Sequence, residues 1–183
     1  MTNFFESMKD IFTPMDGEGQ ESSPLHIGEV TFFWVLLTLL EEGLAVYQLG
    51  LNTTTDSQLI HALTNGEESS KNVITDLRTF FKNEGIPLPP ASEDKPKSDP
   101  NSIPLGVKHT DDELANLVSA KIAAEITLLG QALAVCIRND ACQKLFQVQV
   151  EIYKYGSSFK KMMKQRGWLK IPPYYYPPGP PNK

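Results

Sequence analysis

Two helix endings that repeat each other constrain this chain more than any other feature. One reads Glu84-Gly85-Ile86-Pro87-Leu88-Pro89-Pro90, the other Arg166-Gly167-Trp168-Leu169-Lys170-Ile171-Pro172-Pro173. In each, a long helical pattern runs into glycine, apolar residues and then prolines. Glycine takes the left-handed backbone that closes a helix, an apolar residue folds back on the last turn, and proline forbids continuation. The two glycines lie a little under half the chain length apart. The spacing predicts one helical hairpin written twice.

The rest of the chain fits that repeat. Apolar Ile27, Val30, Trp34, Leu37, Leu44 and Leu51 recur three or four apart, the stripe of a bundle helix, and Glu41 and Gln48 fall on it. The polar turn 52–56 leads to a second helix over about 56–84, with Leu59, Leu63, Ile74, Leu77 and Phe81 inward. Gly66 weakens that helix, and Glu67 and Ser70 share its stripe. A third helix opens with the capping box Thr110-x-x-Glu113, and His26-x-x-Glu29 stands at the equivalent point of the first hairpin. The shift that carries Glu29 onto Glu113 also carries Glu41 onto Glu125 and brings Lys121 onto the stripe. A fourth helix, about 140–166, turns Leu145, Val148, Ile152, Phe159 and Met163 inward.

Between the hairpins, residues 86–108 are rich in proline and carry no periodicity, which predicts a long, partly extended crossover. The predicted fold is therefore all-α: a ferritin-like four-helix bundle of two pseudo-repeated helical hairpins with a long Pro-rich crossover. Residues 1–24 form an N-terminal arm and 25–171 the bundle, with hairpins 25–85 and 109–167. A Pro/Tyr-rich tail, 172–183, follows.

Composition narrows the function. A net charge of −5 and a pI near 5.2 argue against nucleic acid, which needs a basic face. The most apolar run is Val30–Leu40. A membrane span needs about 20 residues, nearly twice that run, so no transmembrane segment is expected. The polar residues 1–24 do not read as a signal peptide. No phosphate-binding loop, His-Glu-x-x-His or nucleophile elbow is present.

The segment Leu25-His26-Ile27-Gly28-Glu29-Val30-Thr31-Phe32-Phe33-Trp34 and the paired endings resemble an uncharacterised family of spore-forming bacteria. The likeness covers about residues 25–176. Members are catalogued as a domain of unknown function and labelled as candidate spore coat proteins. They resemble the coat F proteins, and the resemblance implies a ferritin-like bundle with no established activity or catalytic residues. It also implies a cytoplasmic or spore-coat location.

A ferritin-like fold raises the question of iron. A di-iron bundle takes one Glu from each of two helices and a Glu-x-x-His pair from each of the others. Glu41 and Glu125 stand at plausible places, but Glu67 is followed three residues on by Ser70 and Glu151 by Lys154. The histidines His26, His61 and His109 lie at or near helix starts. No metal or other cofactor is expected. The polar core cluster Glu41, Glu67, Lys121 and Glu125 then has three readings: an internal Glu–Lys–Glu ion pair, a solvent-facing set on a rotated helix, or a residual ligand site. Cys136 and Cys142 read as reduced thiols, with a disulfide across the turn as the alternative.

Gly66 and Gly156, where the pattern lacks bulk, mark a candidate carrier cavity. The basic end Lys160, Lys161, Lys164 and Arg166 complements the helix dipole. Tyr174, Tyr175 and Tyr176, set among prolines, are partner-binding candidates. An apolar flank of Phe32, Phe33 and Leu36 offers a homodimer contact. The predicted role is a non-enzymatic structural or interaction protein with protein partners or self-association. The alternatives are a metal-binding relative with an atypical carboxylate site, or a helical small-molecule carrier.

Overall fold

The computed structural model describes residues 23–175 and 177. Four long helices form the bundle: α1 (Ile27–Leu51), α2 (Ser57–Glu84), α3 (Asp111–Val135) and α4 (Asn139–Arg166). The described residues contain no strand. α1 packs on α2 and α3, α4 packs on α3, and α2 and α4 approach each other less closely.

Each boundary has a local cause. Asp56 caps α2 by accepting from the Gln58 and Leu59 N–H groups. Both expected capping boxes form, at His26/Glu29 and at Thr110/Glu113. The doubled ending is the same structure twice. Gly85 and Gly167 have φ of 68° and 73°, and the residue after each donates to a carbonyl five residues back: Ile86 N to Phe81 O, and Trp168 N to Met163 O, both at 2.9 Å.

The two hairpins lock through charges that the repeat inverts. The shift that carries Gly85 onto Gly167 also carries Asp56 onto Arg138, at the starts of α2 and α4, and Glu84 onto Arg166, at their ends. Asp56 pairs with Arg166 at one end of the α2–α4 seam, and Glu84 pairs with Arg138 through two contacts of 2.6 and 2.8 Å at the other. Both acids belong to the first hairpin and both bases to the second. Two copies of the same hairpin would bring like charges together, so the seam specifies first-with-second pairing. Arg138 is 8% exposed and also holds Asp140. Replacing it with Met is expected to cost about 2–3 kcal/mol in chemical denaturation, because Glu84 is left half-desolvated without its partner. A double-mutant cycle with Glu84→Gln should return a coupling of about 1–2 kcal/mol.

The inner face of α1 differs from the expected stripe. Leu37 is buried, but Ile27 is 82% exposed and Trp34 38% exposed. The buried side carries Phe33, Leu36, Leu37, Leu40 and Tyr47. Phe33 and Leu36, expected on an outer dimer flank, are core, and Phe32 packs against that core. The reason is that α1 is apolar nearly all round, so its periodicity carries little contrast, and its two neighbours set the rotation. On α3, Val135, onto which the shift from Glu29 to Glu113 carries Leu51, is likewise 41% exposed. α2 and α4 are strongly amphipathic, and all ten inward residues expected there are buried.

The expected cavity at the glycines is also absent: both positions are filled. A Cβ on Gly66 would lie 2.4 Å from the Tyr155 hydroxyl and 2.6 Å from the Tyr47 ring. One on Gly156 would meet Ile122 at 2.8 Å. The missing bulk admits neighbouring side chains rather than a ligand. Tyr155 fills the wider α2–α4 seam, donating to Ala62 O at 3.1 Å.

The crossover is tied down along α1. Ser92 donates to Glu42, Asp94 and the Lys95 N–H bond the two ends of the Gln48 amide, and Pro96 O and the Ser98 N–H do the same for Asn52. The chain thus runs back down the outside of α1 to a short 3-10 turn, Pro100–Ser102, before α3 begins.

Candidate functional site

The polar residues of the core divide into three separate groups. The first is centred on Lys121. Its side chain crosses the backbone of α1 at Gly43, where a Cβ would sit 2.0 Å from Lys121 Cε. Glycine at that point is what lets the lysine enter. The Nζ then bonds Glu125 Oε1 at 2.6 Å, lies 3.5 Å from the Tyr47 hydroxyl and stands 4.7 Å from that ring's centre. Lys121 is 8% exposed and Glu125 2%. Burial pushes the Glu125 carboxyl above its ordinary value, while the Lys121 charge and hydrogen bond pull it back. A fixed ammonium therefore stands against the mid-bundle carboxylate.

Glu41 does not join it. It turns to α2, where Arg78 Nε and Nη2 reach Glu41 Oε1 at 2.7 and 2.6 Å. The three-membered cluster Glu41–Lys121–Glu125 is therefore replaced by two independent pairs, one on each side of α1. Glu41 Oε2 is buried without a hydrogen-bond partner among the described residues. Glu67 is further out, bonding Lys71 at 2.7 Å and Gln48 at 3.3 Å. Glu41, Arg78, Gln48 and Lys71 line a groove of about 390 Å³ between α1 and α2, with residues 91–94 of the crossover on its rim. Its one buried carboxylate is already charge-balanced by Arg78. It can accept a proton donor; the groove's other carboxylates, Glu93 and Asp94, are exposed on the crossover rim, with Asp94 bonded to Gln48, and no imidazole lines it.

The third group is Glu29, 2% exposed. Its Oε2 accepts from the His26 N–H at 3.0 Å as the capping box requires. Its Oε1 reaches across to the second hairpin, accepting from the Ile137 and Arg138 N–H groups at 2.8 Å each and from the Cys136 thiol at 3.4 Å. Burial pushes its carboxyl up, but the donors at Arg138, Ile137 and His26 outweigh that and leave it below its ordinary value. His26 accepts from the Gly28 N–H on Nδ1 at 3.0 Å, and its Nε2 lies 3.0 Å from Val135 O, which assigns the proton to Nε2. His26 and Glu29 together bind the start of α1 to the α3–α4 turn. The equivalent tie at the opposite end is Thr54 Oγ1 to Asp111 Oδ1, at 2.6 Å.

The sequence marks Glu29 as a capping residue but does not signal its reach to Ile137 and Arg138, nor the parts played by Arg78 and Gln48. His61 is exposed, and His109 lies 3.7 Å from Glu113 at the start of α3. Among the described residues no three His, Cys, Asp or Glu side chains converge as metal ligands. Cys136 and Cys142 are free thiols, and burial pushes Cys136 upward, as does its neighbour Cys142. Lys160, Lys161 and Lys164 are exposed. Arg166, besides its pair with Asp56, stacks over Trp168. Tyr174 and Tyr175 are 70% and 82% exposed; Tyr176 lies outside the described residues, as do residues 1–22.

A family model described as "Protein of unknown function (DUF3231)" matches residues 15–180. The chain belongs to the DUF3231 family. The DUF3231 chain is 29% identical over 155 residues to the uncharacterised protein YvdQ of Bacillus subtilis, covering 85% of this chain and 91% of that one. It also matches the crystal structure of a "putative spore coat protein" from Bacillus halodurans at 26% identity. That likeness has a TM-score of 0.82 and covers 86% of this chain and 99% of the other. A fragment of a DUF305 protein from Deinococcus radiodurans shares the fold at a TM-score of 0.62 and 12% identity, covering 78% and 99%. The resemblance to an uncharacterised family of spore-formers thus holds, and so does the all-α four-helix architecture.

Proposed function

We propose that this DUF3231 protein is a non-catalytic, ferritin-like bundle that works by association, as a component of the spore coat. The observation that carries the reading is the Lys121 ammonium. A ferritin-like di-iron centre gathers carboxylates and imidazoles from four helices at mid-bundle. Here Lys121 forms an ion pair with Glu125, and Arg78 forms another with Glu41. Each carboxylate is neutralised by the chain itself, which disfavours a dication at either. The likeness to the Bacillus halodurans protein supports the location. The test is fractionation of purified spores with an antibody to the chain. Recovery in the alkali- or detergent-extracted coat fraction is expected; recovery only in the soluble core or mother-cell cytosol would overturn the location.

A second reading is favoured by one observation, the partnerless Oε2 of Glu41 beside the α1–α2 groove. It would make the groove a site for a small ligand with a hydroxyl or ammonium donor. Thermal shift with ethanolamine, which carries both groups, distinguishes the two. Stabilisation that Glu41→Gln removes would favour the groove.

A further inference from the structure

α1 and α3 are apolar beyond what the bundle uses. Each contains an 18-residue stretch as apolar as a membrane span, yet only 39% of the α1 stretch and 28% of the α3 stretch are buried inside the bundle. A helix that is apolar all round is normally covered all round. The charges make the same point. From Leu114 to Val135, α3 has two charged residues, Lys121 and Glu125, and both are buried. From Ile27 to Glu41, α1 also has two, Glu29 and Glu41, and both are buried. No exposed charge remains on either stretch. α2 and α4, in contrast, expose Glu68, Lys71, Asp76, Glu151, Lys154 and Lys160.

The two helices lie side by side and antiparallel, as the contacts of His26 with Val135 and of Lys121 with Gly43 require. Their outer sides therefore join into one face. α1 contributes exposed Ile27 and Val35, and α3 contributes Leu117, Ala120, Ala124 and Val135. Just past α3, Ile137 is 81% exposed, at the end of the face that holds Ile27.

We infer that this α1–α3 face is a two-fold interface with a second copy of the chain. Three observations choose that occupant. The face has no charge to complement an acidic or basic partner. It sets large and small residues side by side, Leu117 and Val135 beside Ala120 and Ala124 on α3, so a two-fold axis can place the large side chains of each copy against the small ones of the other. Its size is sufficient. The uncharged stretches run about 33 Å along α3 and 22 Å along α1, each about 10 Å wide, or about 1,100 Å² in a dimer. The inference deepens the association reading by naming the partner, and it stands or falls in solution whether or not the chain resides in the coat.

The test is light scattering coupled to gel filtration on the full chain, at about 1 to 50 μM to bracket a micromolar affinity. The expected mass is twice 20.4 kDa. Val35→Glu and, separately, Ala120→Glu should weaken dimerisation at least about tenfold by burying a carboxylate. Circular dichroism and the melting midpoint at monomer concentration should be unchanged. Because the two variants lie on different helices, either one that remains folded suffices. A monomeric wild type overturns the inference. If removal of residues 1–22 then produces a dimer, the face belongs to the chain's own N-terminal arm. If the monomer instead co-floats with phosphatidylcholine vesicles, it belongs to a bilayer. A dimer unaffected by either folded variant also overturns the inference, by placing the contact elsewhere.

Discussion

Replacing Lys121 with Met will destabilise the chain by about 3–5 kcal/mol, the cost of leaving a buried carboxylate without its counter-charge. Glu125 is 2% exposed, and Lys121 is its ion-pair partner. Without the ammonium, the carboxyl must take a proton or draw water into the core. The double variant Lys121→Met with Glu125→Gln removes both charges. It should recover most of the loss, to within about 1–2 kcal/mol of wild type. Urea unfolding of the four proteins closes the cycle. A single substitution that costs under about 1 kcal/mol would mean that the pair is already solvated and does not organise the core.

Glu29→Ala will be nearly as damaging, at about 3 kcal/mol. One carboxylate satisfies three backbone N–H groups drawn from both hairpins. Its removal orphans the Ile137 and Arg138 donors at the start of α4 and opens the capping box of α1. The same group predicts part of the acid response. Its folded value lies below the ordinary 4.5, so its contribution is present above about pH 4.5 and is lost as pH falls through the folded value. Glu125 has the opposite sign. Its folded value is raised, so its contribution is present below 4.5 and is lost as pH rises through the folded value. Below pH 4.5, Glu29→Gln should therefore lose stability less steeply than wild type. Parallel acid limbs in the two proteins would show that Glu29 does not report on folding.

How far the sequence anticipated this structure depended on contrast. α2 and α4 alternate charged and apolar faces, so Leu59, Leu77, Leu145 and Phe159 could be placed inward from spacing alone. The helix stops at Gly85 and Gly167 were legible because left-handed glycine followed by proline has a narrow set of meanings. α1 offered no such contrast. Ile27 and Phe33 are equally apolar, and the packing of α2 and α3, including the close passage of Lys121 over Gly43, sets the rotation. The candidate site was half legible for a related reason. Lys121 and Glu125 are four apart on one helix, so their pairing is local. Glu41 and Arg78 are 37 residues apart on different helices, and nothing local announces that contact. The reach of Glu29 to Ile137 spans 108 residues and depends wholly on how the hairpins dock.

The inverted charges at the hairpin seam belong with these ties. Asp56, Glu84, Arg138 and Arg166 hold the ends, Lys121 reaches from α3 over Gly43 to Tyr47 in the middle, and Glu29 crosses at one turn. On this account these residues join the two hairpins, Glu41 and Arg78 tie α1 to α2 within the first, and the outer α1–α3 face is left for association. The measurement that tests this most directly is the transition-metal content of the purified full chain after exposure to iron(II) and manganese(II). The account predicts far less than one ion per chain, with no change in Glu41→Gln or Glu125→Gln. One or two tightly held ions per chain, lost in either variant, would contradict it.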